Sequence, residues 1–170
     1  MRRFGWVVLT LILVDWLTKW LAATALVPGI AWPSLSAPLR LQLVSNPALF
    51  RGMTIPGGGT LLYTVLGLAA MTSVLWAARK TPAHAWPYLL AFGLILGGGS
   101  GNVIERAVRG AATDFITVGL GVFNLADVFI ASGAAIYLWF RIRDGVREEG
   151  WRRTIIASPA PGVFLPPSLR

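Results

Sequence analysis

The sequence places seven charged or amide side chains inside or beside segments that are otherwise apolar. Such groups are disfavoured by roughly 2.5 to 3.5 kcal/mol each at the centre of a bilayer, so we expect them to be paired, cavity-facing or functional. Two of them, Asp114 and Asp127, are acids that could meet near one membrane surface. Two adjacent carboxylates share a proton near neutral pH, which suits peptide hydrolysis but also proton relay or cation transport. The set is Asp15, Lys19, Asn102, Glu105, Arg106, Asp114 and Asp127.

The other polar residues of this set are spaced for pairing along helices. Asp15 and Lys19 are four residues apart, so they lie on one helix face and are predicted to form an ion pair that fixes the first helix. Asn102 and Arg106 have the same spacing and are predicted to point into one outer cavity. With no cysteine and a single histidine, His84, the sequence predicts neither a metal site nor a thiolate nucleophile.

Composition indicates the elements that must position these groups. Of 170 residues, 55% are apolar and 13% charged, which is typical of a membrane protein. Four segments, at about 6–26, 60–78, 86–104 and 122–140, are long enough to span a bilayer. The sequence therefore predicts an all-α integral membrane protein with four transmembrane helices, in one membrane-embedded domain over residues 1–157. Residues 158–170, with four prolines, predict a disordered cytoplasmic tail.

The basic residues predict the orientation of the chain. The net charge of +8 arises mostly from short runs that flank the apolar segments, which indicates membrane topology and not nucleic-acid binding. The positive-inside rule then places both termini in the cytoplasm. Tryptophans are predicted to lie at the same interface. The basic runs are Arg2–Arg3, Arg79–Lys80 and the arginines between residues 141 and 153, and the tryptophans are Trp6, Trp76, Trp86 and Trp139.

Local patterns refine this picture. Residues 39–43 alternate apolar and polar side chains, which predicts a small extracytoplasmic β element in the first outer loop. The loop from Asn46 to Gly59 is predicted to cover the site. The amino terminus imitates a cleavable signal peptide, but Asp15 and Lys19 interrupt its apolar run, so a retained helix is preferred. No Lys-Ser or Lys-Thr follows the glycines at 97–101 and no strand precedes them, so a phosphate-binding loop is not expected, and Gly98 and Gly101 are predicted to allow close helix packing.

Four ordered blocks resemble the signature blocks of the lipoprotein signal peptidases, also called signal peptidase II. They read Asp15-Trp-Leu-Thr-Lys19, Gly98-Gly-Ser-Gly-Asn-Val-Ile-Glu-Arg106, Thr113-Asp-Phe-Ile116 and Phe123-Asn-Leu-Ala-Asp127. The resemblance spans about residues 6–140. It implies an aspartyl endopeptidase of the bacterial inner membrane, which removes the signal peptide of a prolipoprotein just before its diacylglyceryl-cysteine. It further implies an active site near the extracytoplasmic face and no metal or cofactor, with membrane lipid as a partner, and we expect a monomer.

The resemblance also assigns residues. It implies that Asp114 and Asp127 are the catalytic pair, and that six polar residues support the site or bind substrate. Asn124 could equally cap the fourth helix. The sequence departs from the family pattern at Glu105, where aspartate is usual, and in Asn46-Pro-Ala-Leu-Phe50, which is one residue short and lacks a glycine. The supporting residues are Asp15, Lys19, Asn46, Asn102, Arg106 and Asn124.

Two other functions remain open at this level. A small proton-coupled transporter could use the same acids, but it requires a polar path to the cytoplasm, and apart from Asp15 and Lys19 the inner halves of the helices are largely apolar. A family relative that binds lipoproteins without cleaving them is supported only by the altered block at 46–50.

Overall fold

The computed structural model describes residues 2–47 and 59–157. Four helices in this part of the chain are long and apolar enough to cross a membrane. Their large apolar side chains are widely exposed, whereas charged and amide side chains are buried between the helices. This distribution suits a bundle surrounded by lipid. In chain order the elements are α1 (Arg2–Ala25), β1 (Ala31–Trp32), β2 (Leu39–Asn46), α2 (Thr60–Lys80), α3 (Trp86–Arg109), β3 (Ala112–Val118), β4 (Gly121–Phe123) and α4 (Leu125–Ala157).

Helix α3 lies at the centre of the bundle and packs against α1, α2 and α4. Four glycines between residues 97 and 101 make this possible, because a Cβ atom on any of them would collide with a neighbouring helix: α1 in two cases, and α2 and α4 in one case each. The prediction of close packing through small residues is confirmed. The contacts are Gly97 with Leu11 of α1, Gly98 with the Ala126 carbonyl of α4, Gly99 with Met71 of α2, and Gly101 with the Asp15 carboxylate of α1.

An antiparallel sheet in the order β1-β2-β3-β4 lies at one end of the bundle. The predicted strand at 39–43 is confirmed as part of β2. The sheet is larger than predicted, because β3 and β4 come from the loop between α3 and α4. Strand β2 pairs with β3 in a register that sets Val44 opposite Asp114, and it contains an irregularity between Leu41 and Val44. Both loops therefore contribute to one sheet beside the helix ends.

Several predicted helix boundaries were wrong. Helix α4 begins at Leu125 and not at 122, because Gly121–Phe123 pair with β3. It also continues to Ala157, well past 140, since its polar C-terminal part remains helical after the apolar stretch ends. Helix α3 extends to Arg109, where Gly110 ends it with a φ of 82°. Residues 158–170, predicted as a tail, and most of the loop predicted to cover the site lie outside the described residues.

The ends of the helices differ sharply in composition. Helix α1 begins, α2 ends and α3 begins at one end of the bundle, which we call the basic end because Arg2, Arg3, Arg79 and Lys80 lie there. The tryptophans predicted to share an interface are all strongly exposed at this end or near it; they are Trp6, Trp76, Trp86 and Trp139. The sheet and the buried polar residues lie at the other end of the bundle.

Candidate active site

Asp114 and Asp127, here called the dyad, are brought together by the sheet and by the start of α4. Asp114 lies in the middle of β3, and Asp127 is the third residue of α4. Asn124 joins them: its Nδ2 donates to Asp114 Oδ1 at 2.6 Å, and its backbone N–H donates to Asp127 Oδ2 at 3.2 Å. Asp114 is buried, whereas Asp127 is only partly buried. The predicted convergence of these two acids is therefore present in the fold.

Asn124 fulfils both roles that the sequence left open. Its side-chain Oδ1 accepts a hydrogen bond from the Asp127 N–H at 3.1 Å, while Asp127 Oδ2 accepts from the Asn124 N–H. This reciprocal arrangement is a capping box, which satisfies amide groups that the first turn of a helix leaves unpaired. The cap leaves Asn124 Nδ2 to contact Asp114. One residue thus starts α4 and fixes the relative positions of the dyad.

The environment of Asp114 favours its protonated form. The pKa of Asp114 is raised from its ordinary value of 3.8 to about 6, mainly by burial and, in the same direction, by the nearby charge of Asp127. The hydrogen bonds from Asn46 and Asn124 and the charge of Lys19 lower this pKa, but burial is the dominant cause. Asn46 Nδ2 donates to Asp114 Oδ2 at 2.8 Å. Asp114 is therefore a candidate proton donor near neutral pH.

Two residues of α3 contact the dyad from the centre of the bundle. Asn102 Nδ2 donates to Asp127 Oδ1 at 3.0 Å, and Asn102 Oδ1 accepts from Asn124 Nδ2 at 3.0 Å. Arg106, one turn further on, is buried, and its guanidinium interacts electrostatically with both acids. These contacts confirm that Asn102 and Arg106 point into the same region.

A second buried group, here called the lysine cluster, consists of Asp15, Lys19 and Glu105. Lys19 Nζ lies 2.8 Å from Asp15 Oδ2 and 3.1 Å from Glu105 Oε2, and it donates to Asn102 Oδ1 at 2.7 Å. The predicted ion pair between Asp15 and Lys19 is confirmed. Asp15 Oδ1 also accepts from the Ala126 N–H at 3.0 Å, so a carboxylate of α1 stabilises the first turn of α4.

Sequence reasoning gave no site role to Glu105 or Thr113. Glu105 Oε1 accepts from Thr113 Oγ1 at 2.5 Å, and its Oε2 accepts from the Thr113 N–H at 3.1 Å. The Thr113 carbonyl in turn accepts from Asn124 Nδ2 at 3.2 Å. Glu105 therefore attaches β3 to α3 directly before Asp114. The charge of Glu105 at membrane depth was the available signal, but its partner lies on a strand that the sequence did not predict.

The arrangement is suited to acid–base chemistry. One carboxyl group has its pKa raised toward neutrality, and the other accepts hydrogen bonds from the Asn102 side chain and the Asn124 backbone. The two acids therefore differ in burial and in hydrogen-bond partners. Pairs whose environments differ in this way can divide the roles of acid and base. Among residues 2–47 and 59–157 there is no group of three or more His, Cys, Asp or Glu placed to hold a metal ion.

Comparison with known proteins identifies relatives of the whole chain. The lipoprotein signal peptidase of Polynucleobacter necessarius is 34% identical over 148 residues, which covers 83% of this chain and 90% of the relative. The lipoprotein signal peptidase of Syntrophomonas wolfei is 33% identical over 150 residues, which covers 86% of this chain and 97% of the relative.

Solved structures share the fold. A bacterial membrane enzyme determined by the in meso method at 2.3 Å superimposes with a TM-score of 0.76 at 19% identity, covering 85% of this chain and 90% of that one. A second bacterial membrane enzyme, determined by the same method at 1.9 Å, gives a TM-score of 0.73 at 19% identity, covering 85% and 95%. At this identity the likeness shows a shared fold, and four helices in the described part of this chain are long and apolar enough to cross a membrane.

The family model described as signal peptidase (SPase) II matches residues 7–143, which include every residue of the dyad and the lysine cluster. Because this match covers most of the chain and curated relatives exceed 30% identity over most of their own length, the chain belongs to the signal peptidase II family.

Proposed function

We propose that this protein is an aspartyl endopeptidase that cleaves the signal peptide from lipid-modified bacterial prolipoproteins, just before the diacylglyceryl-cysteine. The relatives named lipoprotein signal peptidase and the family match support the substrate class. The observation that supports the aspartyl mechanism is the dyad itself: two carboxyl groups connected through Asn124, one with its pKa raised to about 6.

In the proposed reaction, Asp114 holds the shared proton and Asp127 is ionised. Asp127 accepts a proton from a water molecule as the water oxygen forms a bond to the scissile carbonyl carbon, while Asp114 donates its proton to the carbonyl oxygen. When the tetrahedral intermediate collapses, the C–N bond breaks. A proton passes from Asp127 to the leaving nitrogen, and Asp114 regains its proton from the hydroxyl group. Asp127, being partly exposed, is the acid that water can reach.

The supporting residues act by position and charge. Asn46, Asn102 and Asn124 orient the carboxylates through the hydrogen bonds described above, and Arg106 provides a positive charge beside both acids. Asp15 and Lys19 hold the start of α4 and Asn102 in place. A site already arranged in this way lowers the entropic cost of aligning water with a peptide bond.

The proposed orientation follows from the basic end. With Arg2, Arg3, Arg79 and Lys80 on the cytoplasmic side, both termini are cytoplasmic and the dyad lies near the extracytoplasmic face. A prolipoprotein whose lipid stays in the outer leaflet would then present its scissile bond at the level of the dyad. We propose that a monomer suffices for this reaction.

A proton-coupled transporter is disfavoured by where the buried polar residues lie. Among the described residues these groups cluster at the dyad end, while the buried residues nearer the basic end, such as Ala78, Ala91 and Leu96, are apolar. The packed bundle thus provides no chain of polar side chains from the dyad to the opposite end.

Cleavage of a purified diacylglyceryl-modified prolipoprotein tests the proposal. Asp114→Asn and Asp127→Asn should each reduce kcat by about 10²- to 10⁴-fold or more, since each removes one partner in proton transfer. Asp144→Asn is the matched control, because this acid of α4 contacts Tyr88 near the basic end and should leave cleavage within about twofold.

The outcomes separate the alternatives when folding is verified by circular dichroism and thermal melting. If the folded wild-type protein fails to cleave, the enzyme assignment is wrong and a lipoprotein-binding relative becomes the better reading. If either dyad variant cleaves at the wild-type rate, the aspartyl mechanism on these two residues is wrong.

A further inference from the structure

A cavity of about 670 Å³ opens between the start of α1 and the start of α3, at the basic end of the bundle. Its lining includes Arg2, Arg3, Val7, Leu89 and Leu90, and we call it the arginine groove. At 1.5 Å rise per residue, Arg2 lies about 26 Å along α1 from Lys19, so the groove is remote from the dyad. The reaction proposed above does not use it.

The mouth of the groove has positive charge that the described residues do not balance. Arg2 and Arg3 are both exposed, and neither forms an ion pair with the described side chains of residues 2–47 and 59–147. Asp144, an acid near this end, is already engaged, because it accepts from Tyr88 at 2.7 Å and pairs with Arg143 at 2.8 Å. Two adjacent guanidinium groups without carboxylate partners favour an anion, and arginine binds phosphate oxygens well.

The walls beneath the arginines are apolar. Leu89 and Leu90 form one side, and Val7 lies on the other. Below the groove the two helices are in ordinary van der Waals contact, since a Cβ atom at Gly93 would lie 3.5 Å from Val7 Cγ1 and 3.6 Å from a Phe4 ring carbon. A free phosphate ion would leave these apolar walls uncovered. A ligand with an anionic head and a hydrocarbon chain would match both parts of the groove.

Trp86 supports the same choice of ligand. Its side chain lines the groove and is 65% exposed, in the position where an indole ring favours the membrane–water interface. Basic pockets between transmembrane helices at the cytoplasmic side are suited to anionic lipid headgroups. We propose that the arginine groove binds one anionic phospholipid, with its phosphate between Arg2 and Arg3 and part of an acyl chain against Leu89 and Leu90. The proposal does not depend on the proposed protease function.

Native mass spectrometry of the full chain in detergent tests this site, with phosphatidylglycerol and phosphatidylcholine of identical acyl chains as probes. The wild-type protein should retain one phosphatidylglycerol molecule with an affinity on the order of tenfold above that for phosphatidylcholine. The double variant Arg2→Gln/Arg3→Gln should lose this preference, with a fall in phosphatidylglycerol affinity on the order of tenfold or more. Its affinity for phosphatidylcholine should not change.

Arg79→Gln/Lys80→Gln is the matched control, because it removes the same net charge from the same end of the bundle but outside the groove. This double variant should keep the preference for phosphatidylglycerol. Leu90→Trp provides a second test that leaves both arginines in place: the larger ring should fill the groove and reduce phosphatidylglycerol binding at unchanged charge. Thermal melting without added lipid should show that all variants are folded.

Three results would overturn the proposal. Equal affinities of the wild-type protein for the two lipids would show that no anionic site exists. Equal losses in the two double variants would show attraction by overall charge and not by the groove. Full displacement of phosphatidylglycerol by millimolar inorganic phosphate, with Leu90→Trp binding normally, would show that an anion alone is recognised. If Arg2→Gln/Arg3→Gln does not fold, the Leu90→Trp result decides between groove and general charge.

Discussion

The lysine cluster and the dyad are neighbouring groups that each contain two carboxyl groups, but these carboxyl groups have different bonding partners. In the lysine cluster, the carboxylates of Asp15 and Glu105 share one ammonium group at 2.8 and 3.1 Å. In the dyad, the direct hydrogen-bond donors that the described residues provide are neutral amides from the side chains of Asn46, Asn102 and Asn124 and from the backbone. The comparison separates acids whose charge is neutralised by a direct ion pair from acids whose charge is only partly offset.

This difference predicts different consequences for stability. A carboxylate paired with lysine is expected to contribute to folding only while its partner is present, because an isolated buried charge is strongly disfavoured. A carboxylate whose pKa is raised by burial is instead in an environment that opposes its ionisation. Asp114 is of the second kind, with its pKa raised to about 6. We therefore expect loss of Lys19 to destabilise the fold and ionisation of Asp114 to oppose folding.

The largest expected effect is on stability when Lys19 is replaced. Lys19→Met has a similar shape but leaves the Asp15 and Glu105 carboxylates buried without their shared cation, and we expect a loss of about 3 to 5 kcal/mol in the free energy of unfolding. Unfolding of the purified protein in mixed detergent micelles provides the measurement.

The control for Lys19 is Lys80→Met at the basic end, where the ammonium is exposed and lies 3.7 Å from the Trp76 ring. This variant should change the free energy of unfolding by less than about 1 kcal/mol. A Lys19→Met protein as stable as the control would remove the distinction between the two clusters.

A smaller effect of opposite sign is expected in the dyad. Because the folded protein binds the Asp114 proton more tightly than the unfolded chain does, ionisation above about pH 6 destabilises the fold by at most about 3 kcal/mol, at about 1.4 kcal/mol per pKa unit. Asp114→Asn removes that cost but replaces one of the two oxygens that accept from Asn46 and Asn124 with an NH2 group, which costs about 1 to 3 kcal/mol at every pH. The free energy of unfolding of the variant, relative to wild type, should therefore be higher at pH 7 than at pH 3 by up to about 3 kcal/mol. This relative gain should be lost as the pH falls from about 6 to below 3.8.

Unfolding curves of wild type and Asp114→Asn at several pH values test this. A stability difference between the two proteins that stays constant between pH 3.8 and pH 6, or that changes in favour of the wild-type protein as the pH rises, would show that ionisation of Asp114 does not oppose folding. The Asp114→Asn protein should also lack cleavage activity. The same carboxyl group would then be required for cleavage and oppose folding when it is ionised.

The lysine cluster was largely predictable from sequence, whereas the geometry of the dyad was not. The pairing of Asp15 with Lys19 follows from the four-residue spacing on a helix, and the close packing at 97–101 follows from consecutive small residues. Each feature depends on residue spacing within a single helix, α1 for the ion pair and α3 for the glycines. The participation of Glu105 depends on Thr113, which lies on another element.

The dyad depends on strand pairing between two loops. Residues 112–118 form β3 because β2 pairs with them, and no local alternation in the sequence indicated this. The same pairing brings Asn46 beside Asp114 even though the block at 46–50 departs from the family pattern. The start of α4 was predicted three residues early because apolar residues 122–123 extend the helical segment, while the sheet includes them in β4. Tertiary contacts that override local hydropathy therefore account for these errors.

The smallest expected effect is a shift in the pH dependence of cleavage. It tests whether Asn46 acts on the Asp114 carboxyl group or only supports strand β2. The hydrogen bond from Asn46 lowers the pKa of Asp114, so Asn46→Ala should raise this pKa above about 6. If Asp114 donates the catalytic proton, activity declines as the pH rises through its pKa, and the alkaline limb of kcat/KM should move upward by about 0.4 to 1 pH unit. Ser45→Ala, on the exposed neighbouring position of β2, should leave the limb in place. A limb that stays fixed in Asn46→Ala while activity falls would mean that Asn46 only supports the strand, and a downward shift would mean that Asp114 does not hold the catalytic proton.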